Sequence, residues 1–436
     1  MSEITLNRDQ QKIYDEIEST TENCMFFVEG APGTGKTTFG KEIMKTFAKK
    51  FPMEQIKIAS FSGIAASNAT SGTDFKGQTI HSLFKIGNDI DNMGNTLRIK
   101  TDIAADISVL FLDEVSMLPL KMLKMINDVL KRDKKSNKPF GGIPVFLFGD
   151  FKQLSPIGDA SIKDDPLFVD NFKKRELLQH VRNDNIEDQI ILTHIRNGDV
   201  DSKDIATLNS LIRPPPNPLC LHIMARNDDI DTHNKTVITN YYLPHLNSFE
   251  FTYKTIIHDE QSKRKHNIKM YFDAYIIKNK LKKELLIKPG CLVMCRKNCP
   301  FMGVDGNMHS IFNGMMGVVI EVIDFKTETG DMDEEILVEF DHYPVQIMVR
   351  RISLEYKIGG RDPVHIATLS QFPLHLCYAM TPWKCQGLTI DEPYVITYLQ
   401  TNSKDYISIF YVMITRATTL KKCVYIHSKN PIRFNV

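Results

Sequence analysis

The residues with the clearest chemical potential form a glycine-rich run, GAPGTGKT, from Gly30 to Thr37. An apolar stretch that reads as a strand precedes this run, and a stretch with helical periodicity follows it. Glycines let the backbone curl so that several N–H groups point inward, and the following helix N-terminus adds partial positive charge. The run therefore predicts a phosphate cradle, with Lys36 on the β- and γ-phosphates of a nucleoside triphosphate and the Thr37 hydroxyl on Mg²⁺.

A second candidate is the acidic pair Asp113–Glu114, which directly follows the apolar run SVLFL. A strand end would place both carboxylates at the carboxyl edge of a parallel sheet, where ligands bind in open α/β folds. We expect Asp113 to hold Mg²⁺ and Glu114 to polarise the attacking water as a general base. The alternative for two adjacent acids is a helix N-cap.

A third polar group follows another apolar strand, in FLFGDFKQLSPI. Gln153 in this segment is placed to sense the γ-phosphate or to position water. Phosphoryl transfer also needs cations for the charge that develops on the γ-phosphate. Arg182 and Arg416 are candidates, although composition alone does not distinguish them from surface arginines.

Alternating strand and helix signals indicate how the first third of the chain positions these groups. LNRDQQKIYDEI predicts a helix capped by Asn7, and short apolar strands are predicted at 24–28, 56–60, 108–112 and 144–148. Such continuous apolar strands are typical of parallel sheets that are buried on both faces. The pattern favours a doubly wound α/β domain up to about residue 175, a small β-barrel insert from Leu286 to about Val364, and α/β character again at the end.

Composition narrows the class of protein. The chain has 436 residues, 42% of them hydrophobic, with 54 Lys plus Arg against 53 Asp plus Glu and a net charge of +1. That balance excludes a histone-like polycation but not a local nucleic-acid groove. The start of the chain has no apolar core of a signal peptide, and no run approaches a membrane span.

The eight cysteines are sparse and imply no disulfide framework, which fits an intracellular, soluble protein. Cys291, Cys295 and Cys299 recur every four residues and raise the possibility of a metal site, whereas CLVMC favours a buried strand. The basic run 263–265 is either a solvated loop or a phosphate contact.

Several motifs, in order along nearly the whole chain, resemble those of superfamily-one helicases of the petite-integration-frequency (PIF) family in a minimal-core form. They are LNRDQ, GAPGTGKT, IASFSGIAA, GQTIHSLFKI, LFLDEVSML, FGDFKQLSPI, LLQHVRND, LLIKPGCLVMCRKN, IFNGMMGVV, QFPLHLCYAMTPWKCQGLTID and YVMITRATTLKKCVYI. The resemblance implies two RecA-like lobes with ATP between them, a small wedge insert in lobe one and an SH3-like β insert in lobe two. It places lobe one at 1–176 with the wedge at about 88–106, lobe two at 177–285 and 366–436, and the β insert at 286–365.

The resemblance also implies residue roles. Arg182 becomes an arginine finger, Arg416 a γ-phosphate contact and Gln10 the adenine reader. Its nucleotide contacts are Gln10, Gly30, Ala31, Gly33, Thr34, Gly35, Lys36, Thr37, Thr38 and Gly387. Its single-stranded DNA contacts are Ser62, Thr79 and His81 in lobe one and Asn227, Trp383 and Lys384 in lobe two. Trp383 replaces the family's usual His; it either stacks on a base or packs in the interior, and His81 is either a contact or a capping or core residue.

Three functions are compatible with the sequence. The implied one is ATP-driven, 5′-to-3′ unwinding of forked or tailed duplex DNA; the others are a P-loop DNA-binding switch and the motor of a recombination nuclease. The segment Ile90–Ile99 is either the strand-separation pin or an ordinary surface hairpin. A monomer and partners among replication or recombination proteins are both compatible with the sequence.

Overall fold

The computed structural model describes residues 6–20, 24–86, 102–181, 185–242, 248–258, 268–326, 330–341, 343–358, 364–398 and 404–434. The predicted wedge segment Ile90–Ile99, the finger residue Arg182 and the basic run 263–265 lie outside these ranges. The chain divides into two compact units: Met1–Pro214 with Cys385–Val436, and Pro215–Lys384. The predicted lobe boundaries remain predictions.

The described residues contain thirteen α-helices: α1 (Arg8–Ser19), α2 (Lys36–Ala48), α3 (Gly63–Thr70), α4 (Ile80–Leu83), α5 (Leu120–Asp133), α6 (Pro166–Val169), α7 (Ile186–Asn197), α8 (Ser202–Ser210), α9 (Asn227–Thr236), α10 (Ile268–Lys278), α11 (Pro382–Cys385), α12 (Lys404–Ile414) and α13 (Leu420–Cys423). Among these described helices, none combines the length and the apolar composition needed to cross a lipid bilayer.

The strands of the first unit are β1 (Met25–Gly30), β2 (Ile56–Ser60), β3 (Gly77–Thr79), β4 (Val109–Asp113), β5 (Val145–Gly149), β6 (Lys173–Leu177), β21 (Tyr394–Thr397) and β22 (Val424–His427). The strands of the second unit are β7 (Leu221–Ile223), β8 (Phe249–Thr252), β9 (Lys254–Ile257), β10 (Glu284–Ile287), β11 (Leu292–Cys295), β12 (Cys299–Gly303), β13 (Met308–Ile311), β14 (Met316–Lys326), β15 (Met332–Phe340), β16 (Ile347–Val349), β17 (Ile352–Ile358), β18 (Val364–Gln371), β19 (Leu374–Leu376) and β20 (Ala379–Met380).

A six-stranded parallel sheet in the order β3-β2-β4-β5-β1-β6 is the core of the first unit. Alternate residues of each strand face opposite sides of the sheet. Phe26 belongs to the core on the face covered by α1 and α2, whereas Phe27 belongs to the core on the face covered by α5. Both faces of β1, β2, β4 and β5 are therefore buried, which explains why these four strands are continuous apolar runs, whereas the edge strands β3 and β6 are polar. The predicted parallel sheet flanked by helices is confirmed, as is the Asn7 cap of α1, where Asn7 and Gln10 form a capping box.

The second unit is dominated by a seven-stranded antiparallel sheet in the order β13-β12-β16-β15-β14-β11-β19. Six of its strands, from β11 to β16, lie in the part of the chain in which the sequence predicts a β insert, whereas β19 lies beyond that part. A three-stranded sheet, β17-β18-β9, packs against α10 through the side chains of Phe272 and Leu369. Cys291 and Cys295 are buried in the core of the larger sheet, and the Cys295 thiol lies 3.0 Å from the Lys297 carbonyl.

Candidate nucleotide and DNA site

The glycine-rich run forms the turn between β1 and α2. Gly33 and Gly35 have φ values of 85° and 80°, a left-handed backbone that side-chain-bearing residues rarely adopt. The Val181 N–H donates to the Gly33 carbonyl at 2.7 Å, which ties the segment after β6 to the loop. The loop is thus shaped by its own glycines and held from outside by Val181.

Lys36, the first residue of α2, is turned back onto this loop. Its Nζ donates to the carbonyls of Gly30 at 2.5 Å and Ala31 at 3.1 Å, and the Thr34 hydroxyl also donates to Ala31 at 2.9 Å. Lys36 is 8% exposed. A buried ammonium needs acceptors, and the loop carbonyls supply them in this arrangement.

The acidic pair lies at the carboxyl end of β4, as the sequence predicts. Glu114 has a φ of 53°, and its N–H donates to Asp113 Oδ1 at 2.9 Å. Burial, followed by the neighbouring Glu114 charge, raises the pKa of Asp113 to about 7. The Glu114 side chain makes no helix-capping hydrogen bond, so the alternative N-cap reading of the pair finds no support in this geometry.

Gln153 follows β5 and is fixed through Asp150, whose carbonyl accepts its N–H at 2.9 Å. The Asp150 carboxylate is fully buried and accepts hydrogen bonds from the Arg196 guanidinium at 3.2–3.3 Å and from the Tyr411 hydroxyl at 3.3 Å. Gln153 Oε1 is buried and has no hydrogen-bond partner among the described residues. A buried acceptor of this kind is suited to hold a water molecule.

Arg416 follows α12 and is 2% exposed. Its Nε donates to the Val412 carbonyl at 2.9 Å, Nη1 to the Leu388 carbonyl at 3.2 Å, and Nη2 to the Thr415 hydroxyl at 2.9 Å. Its partners in these three bonds are neutral oxygens, so its positive charge has no direct carboxylate partner in them. Arginine with neutral partners is well placed to receive an anion.

These side chains meet in one cavity of about 240 Å³ within the first unit. It is lined by Pro32, Gly33, Gly35, Lys36, Thr37, Thr38, Glu114, Gln153, Val181, Gly387 and Arg416. Asp113 lines a smaller adjoining space together with Lys36 and Thr37. Gln10, Gly30, Ala31 and Thr34 are not part of the lining, although the Gln10 amide approaches Gly35 closely.

The residues of the first unit that are predicted to contact DNA lie at or near the N-termini of helices. Ser62 caps α3 by accepting the Ala65 N–H, and Thr79 caps α4 by accepting the Ser82 N–H, each at 3.2 Å. A hydroxyl that accepts in this way keeps its own proton for a further acceptor. His81 is half-buried and packs edge-on against Phe61, with 6.0 Å between ring centroids.

The predicted DNA residues of the second unit differ in exposure. Asn227 is exposed as the first residue of α9, whereas Trp383 and Lys384 are half-buried in α11. The Trp383 indole N–H is buried and has no hydrogen-bond partner among the described residues. Packing therefore already covers part of the indole ring.

Comparison with known proteins finds similarity to one family of helicases. A family model described as PIF1-like helicase matches residues 5–214. The ATP-dependent DNA helicase Pif1 of Psychrobacter sp. is 28% identical over 425 residues, which cover 84% of this chain and 60% of that protein. The chain is thus similar to PIF1-like helicases over most of its length. It spans about three-fifths of the length of the Psychrobacter relative.

Solved structures of Pif1 helicases share this fold. The crystal structure of Pif1 helicase from Candida albicans has a TM-score of 0.76 at 22% identity, covering 98% of this chain and 95% of that one. Pif1 from Bacteroides, in a crystal structure bound to single-stranded DNA, has a TM-score of 0.72 at 24% identity, covering 98% and 93%. These likenesses establish a RecA-like α/β fold for this chain.

The sequence analysis missed one side chain of the candidate site, that of Gln386. Its Nε2 donates to Glu114 Oε2 and to the Ser116 hydroxyl, each at 3.0 Å. The signal was present, because Gln386 directly precedes Gly387 in the motif QFPLHLCYAMTPWKCQGLTID, which also holds the predicted DNA contacts Trp383 and Lys384. Sequence spacing alone could not bring it to Glu114, since the two residues are far apart in the chain.

Proposed function

We propose that this protein is an ATP-dependent DNA helicase that translocates 5′ to 3′ on single-stranded DNA and unwinds duplex DNA. The observation that carries the proposal is that Lys36, Glu114, Gln153 and Arg416 line the same cavity. A lysine, a carboxylate, a water-positioning amide and an arginine around one phosphate loop are the groups that hydrolysis of a γ-phosphate needs.

ATP binds with its phosphates on the backbone N–H groups from Gly33 to Thr38. Lys36 leaves the carbonyls of Gly30 and Ala31 and turns to the β- and γ-phosphates, which are stronger acceptors for an ammonium. Gln10 reads the adenine edge next to Gly35. Gly387 approaches the nucleotide from the other wall of the cavity, and Thr34 holds the loop shape.

Mg²⁺ fits the donor set beside the loop. Thr37 and Asp113 offer the oxygen ligands that this cation prefers, and both line the same small space. The raised pKa of Asp113, about 7, reflects a buried negative charge that a nearby cation would stabilise. When bound, the ion neutralises charge on the β- and γ-phosphate oxygens.

Hydrolysis uses Glu114 as the general base, which takes a proton from the attacking water. The Gln153 amide orients that water, and its buried Oε1 is the acceptor available for it. Arg416 exchanges its carbonyl partners for the γ-phosphate and stabilises the charge that develops there. Arg182 is proposed as the second cation of the transition state.

Single-stranded DNA contacts helix starts and a few polar side chains. Ser62, Thr79 and His81 serve the first unit, and Asn227, Trp383 and Lys384 the second; Trp383 uses the part of its ring that packing leaves exposed. Hydroxyls, amides and backbone N–H groups hold phosphates without reading sequence. This mode suits a chain whose net charge is only +1. The Bacteroides Pif1 bound to single-stranded DNA supports this ligand class.

An unwinding assay on two partial duplexes, one with a 5′ single-stranded tail and one with a 3′ tail, tests the proposal. We expect ATP-dependent strand separation of the 5′-tailed duplex, little on the 3′-tailed one, and none by the Lys36→Ala variant. ATP hydrolysis without separation of either duplex would instead indicate a DNA-binding switch. Preference for the 3′ tail would reverse the proposed polarity.

A further inference from the structure

The turn Cys385–Leu388 touches three parts of the first unit. It is closed by a hydrogen bond from the Leu388 N–H to the Cys385 carbonyl at 3.0 Å, with Gly387 at a φ of 85°. The Arg416 guanidinium donates to the Leu388 carbonyl at 3.2 Å. The Asn68 amide of α3 donates to the Gly387 carbonyl at 3.3 Å.

The remaining contact of this turn is the Gln386 side chain, which is 4% exposed. Both protons of its amide are used, one on Glu114 Oε2 and one on the Ser116 hydroxyl, each at 3.0 Å. Its Oε1 is buried without a hydrogen-bond partner among the described residues. The two donated bonds therefore fix the orientation of this amide.

We propose that Gln386 is a positioning residue that aims the Glu114 carboxylate at the attacking water and that transmits DNA binding to this base. The inference rests on the proposed function, because it takes Glu114 as the general base of ATP hydrolysis. Gln386 itself contacts no reacting atom in this account. It acts by restricting where Glu114 Oε1, the carboxylate oxygen not bonded to Gln386, points.

A neutral amide is the appropriate partner for a base. An arginine or lysine at this distance would stabilise the carboxylate charge and lower its basicity, whereas an amide orients it at much smaller electrostatic cost. Glutamate has several rotatable bonds, and a general base must lie within hydrogen-bond reach of the proton that it takes. The left-handed backbone at Glu114 fixes the direction in which the side chain leaves the main chain, and the hydrogen bond from Gln386 fixes the position of its carboxylate.

The same turn is adjacent to the proposed DNA contacts. Asn68 belongs to α3, the helix that Ser62 caps, and Trp383 and Lys384 directly precede the turn in the chain. If DNA binding moves α3 or these two residues, the turn Cys385–Leu388 moves with them and displaces Gln386. DNA occupancy can thereby change how often Glu114 is aimed correctly.

A double-mutant cycle on single-turnover ATP hydrolysis, with and without a saturating oligothymidine, tests this inference. Gln386→Met keeps the side-chain length but removes both donors. In the wild-type background we expect the DNA-stimulated rate to fall at least ~10-fold, while the dissociation constant of a fluorescent ATP analogue changes less than ~2-fold. In the Glu114→Gln background the same substitution should change the rate less than ~2-fold, because there is no base left to aim.

If Gln386→Met lowered the hydrolysis rate by the same factor in the wild-type and Glu114→Gln backgrounds, Gln386 would act elsewhere and the inference would be overturned. An unchanged hydrolysis rate in Gln386→Met would also overturn it. Gln386→Asn, which keeps the amide but shortens its reach, is expected to give an intermediate rate; a rate equal to wild type would also overturn it. Failure of the proposed function can be distinguished from failure of this inference. In the first case the wild-type protein would not separate DNA strands, whereas the double-mutant cycle measures ATP hydrolysis alone.

Discussion

Glu114 and Arg416 come from distant parts of the chain, and the side chain of each is hydrogen-bonded to neutral groups in the cavity wall. Glu114 accepts from the Gln386 amide, and Arg416 donates to backbone carbonyls and a hydroxyl. Neutral partners can be exchanged for a substrate at lower cost than a salt bridge, because no opposite charge is left unpaired. At the residue scale, the site is thus prepared for an anionic ligand.

Replacing Glu114 by Gln tests its role. We expect Glu114→Gln to bind ATP and single-stranded DNA with affinities close to wild type and to lose hydrolysis by a factor of roughly 10²–10⁴, the usual contribution of a general base. Binding titrations and steady-state hydrolysis on the same preparation measure both. Hydrolysis at the wild-type rate would remove Glu114 from the mechanism.

The cysteines allow a second residue-scale prediction. Burial raises the pKa of the Cys385 thiol to about 12, so almost none of it is thiolate at pH 8. Iodoacetamide should therefore modify the half-buried Cys220 well before Cys385 in the native protein. Mass spectrometry of peptides against time measures both rates, and after unfolding in urea the difference should vanish. Equal rates in the native state would contradict the burial of Cys385.

At the element scale, three pieces of chain meet at Asp150. The loop after β5 carries Asp150 and Gln153, α7 supplies Arg196, and α12 supplies Tyr411 on the way to Arg416. Asp150 and Glu176 raise the pKa of Arg196 above its usual value, against the effect of burial, so this guanidinium stays charged. The network fixes the loop that carries Gln153 relative to α12, the helix that precedes Arg416.

Breaking this network should be costly because it leaves a buried charge unpaired. We expect Arg196→Met to lower the free energy of unfolding by about 3–5 kcal/mol, and Asp150→Asn in the same chain to recover part of that loss. Urea denaturation measures both. The control Lys163→Met removes an exposed ion pair with Asp164 and should cost less than about 1 kcal/mol. Equal costs for the two pairs would contradict this account of Asp150.

Elements whose sequence pattern is local could be predicted, whereas contacts between distant elements could not. The strand Ile56–Ser60 and the Asn7 cap follow from apolar runs and capping chemistry within a few residues. The contact of Gln386 with Glu114 depends on how the sheet edge and the end of the chain pack, and no local pattern encodes that distance. The same holds for Arg196 and Asp150, which read separately as a helix arginine and a loop acid.

At the scale of the whole molecule, the chain passes through the first unit, forms the second unit and returns to the first. The returning segment supplies Gly387 and Arg416 to the cavity that is also lined by the glycine-rich loop before α2. With this path, the proposed DNA contacts fall in both units, whereas the proposed hydrolytic groups fall in the first unit alone. The described residues of the second unit, which include its antiparallel sheet, add none to the lining of this cavity.

The central claim is that both ends of this chain build one hydrolytic site, and the hydrolysis rate of Arg416→Ala tests it most directly. We expect this variant to bind an ATP analogue nearly as well as wild type but to lose DNA-stimulated hydrolysis by roughly 10³–10⁵-fold, the range for a transition-state arginine. Arg175→Ala, which removes a partly exposed ion pair with Glu16, should hydrolyse ATP at the wild-type rate. Hydrolysis by Arg416→Ala at the rate of that control would contradict the claim.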